Sequence, residues 1–158
     1  MNSAVLTDEI TLLAALPFFA DFERDALKLI AFSADTRILR ERDMLFRKND
    51  LADSGFLMLS GTIMLNEKDE PLPTGTKFGR GSLLGQTALL AQVRRPATAI
   101  MLEAGAVLKI TRILMKRVLD TYPSTAEKLR LRLSKSIHEI VDEVEAATKT
   151  MSHSVEDF

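Results

Sequence analysis

Apolar residues at the start of the chain recur with the period of an α-helix. The apolar positions of the first helix are Ile10, Leu13 and Leu16. Thr7 is placed to cap this helix and Pro17 to end it, and Asp21 is placed to cap a second, short helix. We therefore predict N-terminal helices over residues 1–32.

A different pattern covers residues 33–110, where short apolar runs are broken by Gly, Pro, Asn and Asp. The clearest strands are Thr36–Leu39, Met44–Phe46, Gly55–Leu59, Thr62–Leu65, Thr98–Leu102 and Val107–Ile110. Many short strands at regular spacing are typical of a small barrel or sandwich rather than a parallel sheet. Gly61 predicts a tight hairpin between the third and fourth of them. The apolar stretch 83–90 is poor in β-branched residues and predicts a short helix within the β region.

The helical period returns after residue 110. One short helix ends before Pro123, and the capping-box spacing of Ser124 and Glu127 predicts a long helix that runs to about Thr148. Its seam has heptad spacing, which favours a homodimer through this helix. The seam residues are Leu133, Ile137, Ile140 and Val144. The alternative is a helix that packs on its own barrel.

These elements predict a mainly β fold with flanking α-helices. We expect an antiparallel β-roll, like a double-stranded jelly roll, with N-terminal helices and a long C-terminal helix. The 158 residues suit one core. We therefore predict a single domain over 1–150, and the remaining 151–158 is a tail. Its parts are the helices 1–32, the β-roll 33–110 and the C-terminal helices 111–150.

Composition argues against an enzyme. The chain has no cysteine, which excludes disulfides, thiolate catalysis and cysteine-ligated metals. Its two histidines, His138 and His153, show no triad arrangement with serine and carboxylate, and there is no P-loop. We expect no catalytic residues, no metal and no cofactor. The longest apolar run, Leu12–Ala20, is too short to cross a membrane, so we expect a cytoplasmic protein.

Charge is unevenly distributed along the chain. The formal net charge is −1, yet residues 76–135 carry 12 basic and three acidic residues. This basic middle favours an anionic ligand through its field. The alternative is that these side chains cover solvated helix faces.

The segment 79–99 combines the elements of an anion site. Gly79, Gly81 and Gly85 lead into the short helix, where free amide groups can face a ligand. Arg95 follows, and a guanidinium can grip a phosphate through two parallel hydrogen bonds. The neighbouring Arg94 is interpreted as a solvated charge.

This segment resembles the phosphate-binding cassette of the cyclic nucleotide-binding domain family. The cassette usually reads Phe-Gly-Glu-x-Ala-Leu, a variable loop, and Arg-x-Ala-(Thr/Ser)-Val. The chain has Leu84-Gly85-Gln86-Thr87-Ala88-Leu89 and Arg95-Pro96-Ala97-Thr98-Ala99. The resemblance extends to Leu16–Phe19 with Phe22 and to Asp53–Gly61, and it spans about residues 10–145.

The resemblance implies a ligand site formed by Leu84, Gly85, Gln86, Thr87, Ala88, Arg95, Pro96 and Ala97. Arg95 would pair with the cyclic phosphate, and the backbone around Gly85 would bind the ribose-phosphate. Gln86 stands where the family has a glutamate that accepts from the ribose 2′-OH, and a neutral amide accepts more weakly. Pro96 lacks the hydroxyl that cGMP-selective members often place there, so cAMP is favoured over cGMP. Candidates for the contact to the base are Arg130, Arg132, Ser134 and Lys135.

The function that follows is a regulatory cyclic nucleotide sensor. Relatives that act as transcription factors follow the long helix with a DNA-binding domain, whereas this sequence ends at Phe158. We therefore expect no direct DNA binding, and signalling through the C-terminal helix to a dimer partner or to a separate effector protein. Two alternatives remain, a dimerisation scaffold with a degenerate pocket and a site for another anionic ligand.

Overall fold

A computed structural model describes residues 3–68, 75–136 and 146 of the chain. Three helices are α1 (Ser3–Ala14), α2 (Arg24–Ser33) and α3 (Arg112–Thr121), and a fourth, α4, covers 123–136. Short 3₁₀ helices span Pro17–Phe19 and Gln86–Leu89. Within the described parts of the chain, every helix is too short or too polar to cross a membrane.

Ten short strands form the body of the molecule. They are β1 (Asp35–Leu39), β2 (Met44–Phe46), β3 (Leu51–Ala52), β4 (Ser54–Met58), β5 (Thr62–Asn66), β6 (Thr76–Phe78), β7 (Leu83–Leu84), β8 (Val93–Arg94), β9 (Thr98–Glu103) and β10 (Gly105–Thr111). Two four-stranded sheets have the orders β1-β10-β4-β7 and β2-β9-β5-β6, and β3 pairs with β8. Every pairing is antiparallel. The predicted β-roll with flanking helices is confirmed.

The core of the roll lies between the two sheets. The first sheet contributes Phe56, Met58, Leu84 and Val107, and the second contributes Ile63, Ala99 and Met101. These side chains are all buried, which removes apolar surface from water on both inner faces.

The predicted hairpin at Gly61 is wrong. The strands on either side of Gly61, β4 and β5, belong to different sheets, so the turn carries the chain across the roll. The return crossing at Ala104 packs against it, and a Cβ at Gly61 would lie 2.7 Å from the Glu103 carbonyl oxygen. Glycine is therefore needed here because the backbone at residue 61 lies close to the backbone at Glu103 and Ala104 and because φ is +81°. It does not form a two-residue hairpin loop.

The predicted helix over 83–90 is also corrected. Leu83 and Leu84 form β7, which pairs with Leu57 and Phe56 of β4. Gly85, with φ +76°, then turns the chain into the 3₁₀ helix Gln86–Leu89. Tertiary pairing thus overrides the helical appearance of the two leucines.

The N-terminal helices form with shifted starts. Thr7 lies inside α1 rather than at its cap, because α1 begins at Ser3, and Glu23 rather than Asp21 occupies the cap position of α2. The Asp8 carboxylate accepts two hydrogen bonds of 2.7 and 2.6 Å from Arg80, whose guanidinium also donates to the Leu59 carbonyl oxygen. This contact ties α1 to the roll.

The chain divides into two compact units, Met1–Tyr122 and Pro123–Phe158. In the first unit, the Thr111 side chain caps α3, and Ile113 on the same helix is 84% exposed. In the second unit, α4 begins at Pro123, so Ser124 follows the start of the helix, and Glu127 pairs with Arg130. Of the predicted dimer seam, Leu133 lies in α4 and is 37% exposed. Ile137, Ile140 and Val144 lie outside the described residues, and the single domain over 1–150 stays a prediction.

Candidate functional site

The segment after β7 forms a tight turn followed by one turn of 3₁₀ helix. Gly85 stands at its start with φ +76° and ψ +36°, a left-handed conformation that glycine adopts without a steric penalty. Its carbonyl accepts from the Ala88 amide at 3.1 Å, and the Leu90 amide closes the helix on the Thr87 carbonyl. The first amides of the helix, at Gln86 and Thr87, therefore have no helical carbonyl to bind. They can donate hydrogen bonds to an anion instead.

Backbone hydrogen bonds fix Arg95 just after β8. Its amide donates to the Asp50 carbonyl and its carbonyl accepts from the Asn49 amide, both at 2.8 Å. The side chain then enters the protein and is only 5% exposed. Its Nη2 donates to the Ser54 carbonyl oxygen at 2.7 Å.

Two aromatic rings support the Arg95 guanidinium. Cζ lies 4.3 Å from the centroid of the Phe46 ring and 5.5 Å from that of Phe56, within the range of cation–π attraction. The two rings are stacked on each other at 6.0 Å. The ring faces and the Ser54 carbonyl hold the guanidinium plane in one orientation.

The charge of Arg95 is only partly compensated. Nη1 is buried and has no hydrogen-bond partner among the described residues, and none of the described carboxylates forms an ion pair with Arg95. Burial lowers the pKa of the guanidinium, and the Asp53 and Asp50 carboxylates oppose that shift more weakly. Arginine nevertheless keeps its charge in proteins. Leaving a buried donor without a partner costs about 1–3 kcal/mol, and more for a charged group, so this atom favours an anion.

The Asp53 carboxylate, whose charge acts on Arg95, also interacts with the Ser54 side chain. A hydrogen bond from the Ser54 side chain lowers the pKa of Asp53, and the charge of Lys109 also lowers it. The Ser54 Oγ lies 3.4 Å from Arg95 Nη2, so the hydroxyl interacts with both Asp53 and the guanidinium. Asp53 itself is exposed.

A cleft of about 400 Å³ opens beside Arg95. Six of the eight predicted site residues line it, namely Gly85, Gln86, Thr87, Ala88, Arg95 and Pro96. Leu84 and Ala97 are buried and lie outside this lining, and Leu84 belongs to the core between the sheets. Gln86, Thr87 and Pro96 are exposed and placed to meet a ligand from solvent.

The sequence did not identify every wall of the cleft. Ala52 and Val93 also line it, and they face each other across the short β3–β8 pair. Two-residue strands carry no periodic signal, so only their pairing identifies them. Arg94, interpreted from sequence as a solvated charge, is exposed, but it also lines the cleft and donates to the Asn49 carbonyl at 2.9 Å.

The candidates for a base contact belong to the second unit. There, Glu127 accepts hydrogen bonds of 3.1 and 2.6 Å from Arg130. Assignment of a base contact to Arg130, Arg132, Ser134 or Lys135 stays a prediction.

The chain is similar to known proteins in sequence and in fold. The model of the cyclic nucleotide-binding domain family matches residues 36–122, which include both halves of the cleft. A cyclic nucleotide-binding-like protein from Brucella abortus is 35% identical, with a TM-score of 0.67, over 72% of this chain and 98% of its own length. A search of curated proteins found no significant match.

More distant solved structures share the fold. The N-terminal domain of a transcriptional regulator from Streptomyces coelicolor is 21% identical, with a TM-score of 0.73, over 83% of this chain and 92% of its own. The sensor domain of a transcriptional regulator from Pseudomonas aeruginosa is 18% identical, with a TM-score of 0.67, over 87% of this chain and 94% of its own.

Proposed function

Because the chain belongs to the cyclic nucleotide-binding domain family, we propose that it binds a cyclic nucleotide in the cleft beside Arg95 and acts as a regulatory sensor. The cyclic phosphate lies against Arg95 Nη1 and the amides that follow Gly85, and the ribose 2′-OH donates to Gln86. The preferred ligand is cAMP, since Pro96 offers neither an N–H nor a hydroxyl to a guanine base.

The observation that carries this proposal is the state of Arg95. A guanidinium that is 5% exposed, supported by two rings and left with one partnerless nitrogen is a preorganised anion receptor. A phosphate oxygen at Nη1 supplies the missing hydrogen bond and compensates the charge together. The gain is specific to an anion, because a neutral acceptor does not compensate the charge.

Gly85 supports the same assignment. A Cβ at this position would overlap Arg95 Nη1, so glycine allows the cassette backbone to approach the guanidinium. The Nη1 of Arg95 and the amides at the start of the 3₁₀ helix are the donors that we assign to a singly charged cyclic phosphate.

The sensor role includes the C-terminal helix. Leu133 is 37% exposed in the single chain, as expected for a residue that a second copy covers, and it begins the heptad seam of the sequence. We therefore include a homodimer through this helix in the proposal. Sedimentation velocity checks it, and a chain that stays monomeric with and without cAMP would remove the dimer from the account.

Calorimetric titration tests the ligand assignment. We expect heat and saturable binding with cAMP, weaker binding with cGMP, and none with adenosine, because adenosine lacks the phosphate that Arg95 recognises. The absence of binding heat with both cyclic nucleotides would contradict the proposal. Adenosine binding as tight as that of cAMP would contradict the role of the phosphate.

The substitution Gln86→Glu should tighten cAMP binding about tenfold, because a charged acceptor strengthens the bond from the 2′-OH. The matched control is Gln92→Glu, which adds the same charge at an exposed position outside the cleft lining. A second control is 2′-deoxy-cAMP, whose affinity should not improve in the Gln86 variant. Unchanged or weaker binding of cAMP would show that Gln86 does not contact the ribose.

A further inference from the structure

Arg112, the first residue of α3, joins several parts of the chain that are far apart in sequence. Its Nη1 donates to the carbonyl oxygens of Ala91 at 2.8 Å and Ala52 at 3.1 Å, with a longer contact to Ala88 at 3.4 Å. Its backbone amide donates to the Asp53 carbonyl at 2.8 Å. One residue therefore contacts β3, the residue before β4, and the end of the 3₁₀ helix Gln86–Leu89, which we call the cassette helix.

The carbonyls that Arg112 binds belong to the cleft and its support. Ala52 and Ala88 both line the cleft, on the strand side and the helix side respectively. The 3₁₀ helix ends at Leu89. The carbonyls of Ala88 and Ala91 therefore have no later helical amide to accept from. Arg112 does not line this cleft, so it acts on the two walls through their backbone carbonyls.

We propose that Arg112 is a positioning residue for the anion site, an inference that rests on the proposed nucleotide binding. By binding both walls, its guanidinium fixes the distance between β3 and the cassette helix. That distance sets where the Gly85 turn stands relative to Arg95. The positive charge of Arg112 also offsets the partial negative charge of the carbonyl oxygens that it binds. That reduces their repulsion of a phosphate in the cleft.

The contacts connect the cleft to α3 as well. Arg112 begins α3, and this helix ends at Thr121, next to the boundary of the second unit. A ligand that moves the cassette helix must therefore carry Arg112 with it or break its bonds. Arg112 thus couples ligand binding in the cleft to α3, the helix that follows the last strand of the β-roll.

Hydrogen exchange of the ligand-free chain tests the positioning role without any nucleotide. The variant Arg112→Met keeps an unbranched side chain and removes the donors. We expect the amides of Ala88, Leu90 and Ala91 to exchange at least about tenfold faster, while amides in β5 and β9 keep their rates. The matched control is Arg117→Met, an exposed arginine on the same helix. Equal acceleration in β5 and β9, or none at Ala88–Ala91, would overturn the proposal.

Titration with cAMP then tests the positioning role of Arg112 separately from the proposed nucleotide binding. Arg112→Met should weaken cAMP binding about tenfold, with Arg112→Lys in between because it keeps a charged donor. Arg117→Met should bind as the unmodified chain does. If the unmodified chain binds cAMP but Arg112→Met binds equally well, the positioning role is wrong and the proposed function stands. If the unmodified chain fails to bind, the proposed function is wrong, whereas the exchange result still decides whether Arg112 holds the cleft walls.

Discussion

Replacing Arg95 by methionine should abolish cAMP binding, with a loss of at least about 100-fold in affinity, or about 2.7 kcal/mol. Methionine removes the one buried charge among the described residues that line the cleft. It keeps an unbranched, polarisable side chain beside Phe46 and Phe56. Calorimetric titration with cAMP measures the loss.

The same substitution should leave the fold intact. The variant loses the hydrogen bond to the Ser54 carbonyl, and it also removes a buried nitrogen that has no partner. Each effect is on the order of 1 kcal/mol and they oppose each other, so the free energy of unfolding should change little. The control is Arg94→Met, which removes an exposed charge at the cleft rim and should reduce affinity only slightly. If Arg95→Met binds cAMP as tightly as Arg94→Met, Arg95 is not the phosphate receptor.

Replacing Gly85 by alanine should both destabilise the domain and weaken cAMP binding by more than about tenfold. An L-residue with φ +76° costs about 1–2 kcal/mol, and its Cβ would overlap Arg95 Nη1. The guanidinium or the Gly85 turn must then move, which displaces one of the donors that we assign to the phosphate. Thermal unfolding should show a drop of several degrees, since about 1 kcal/mol corresponds to roughly 2–4 °C for a chain of this size.

Gly81→Ala is the matched control for this prediction. Gly81 has φ +88°, so alanine there carries a similar conformational cost, but its Cβ would meet only Leu12 Cδ2 at 3.7 Å. We expect a smaller loss of stability and unchanged affinity for cAMP. If Gly85→Ala binds cAMP as tightly as Gly81→Ala does, the approach of Gly85 to Arg95 has no role in recognition.

The pattern of the sequence predicts strands well where an apolar run is bounded by breaker residues. The cores of β2, β5 and β9 follow directly from apolar runs and the breakers around them. The pattern does not show which strands pair, because a period of two describes one strand at a time. The pattern around Gly61 therefore predicts a hairpin, although the turn at Gly61 connects strands of two different sheets.

The sequence predicts which residue types form the site, but it does not predict their contacts. The order of Gly85, the short apolar helix and Arg95 predicts an anion site with a guanidinium. Nothing local shows that Arg95 turns inward to Ser54, because the two residues are 41 positions apart. The roles of Phe46 and Arg112 are hidden for the same reason, since each depends on a contact that only the folded chain brings together.

A crystal structure of the chain grown with cAMP shows whether Arg95 binds the phosphate. We expect electron density for the cyclic phosphate in the cleft, with one oxygen about 2.7–2.9 Å from Arg95 Nη1 and another near the amides after Gly85. Density for cAMP elsewhere on the chain, with Nη1 still unpaired against Gly85, would contradict it.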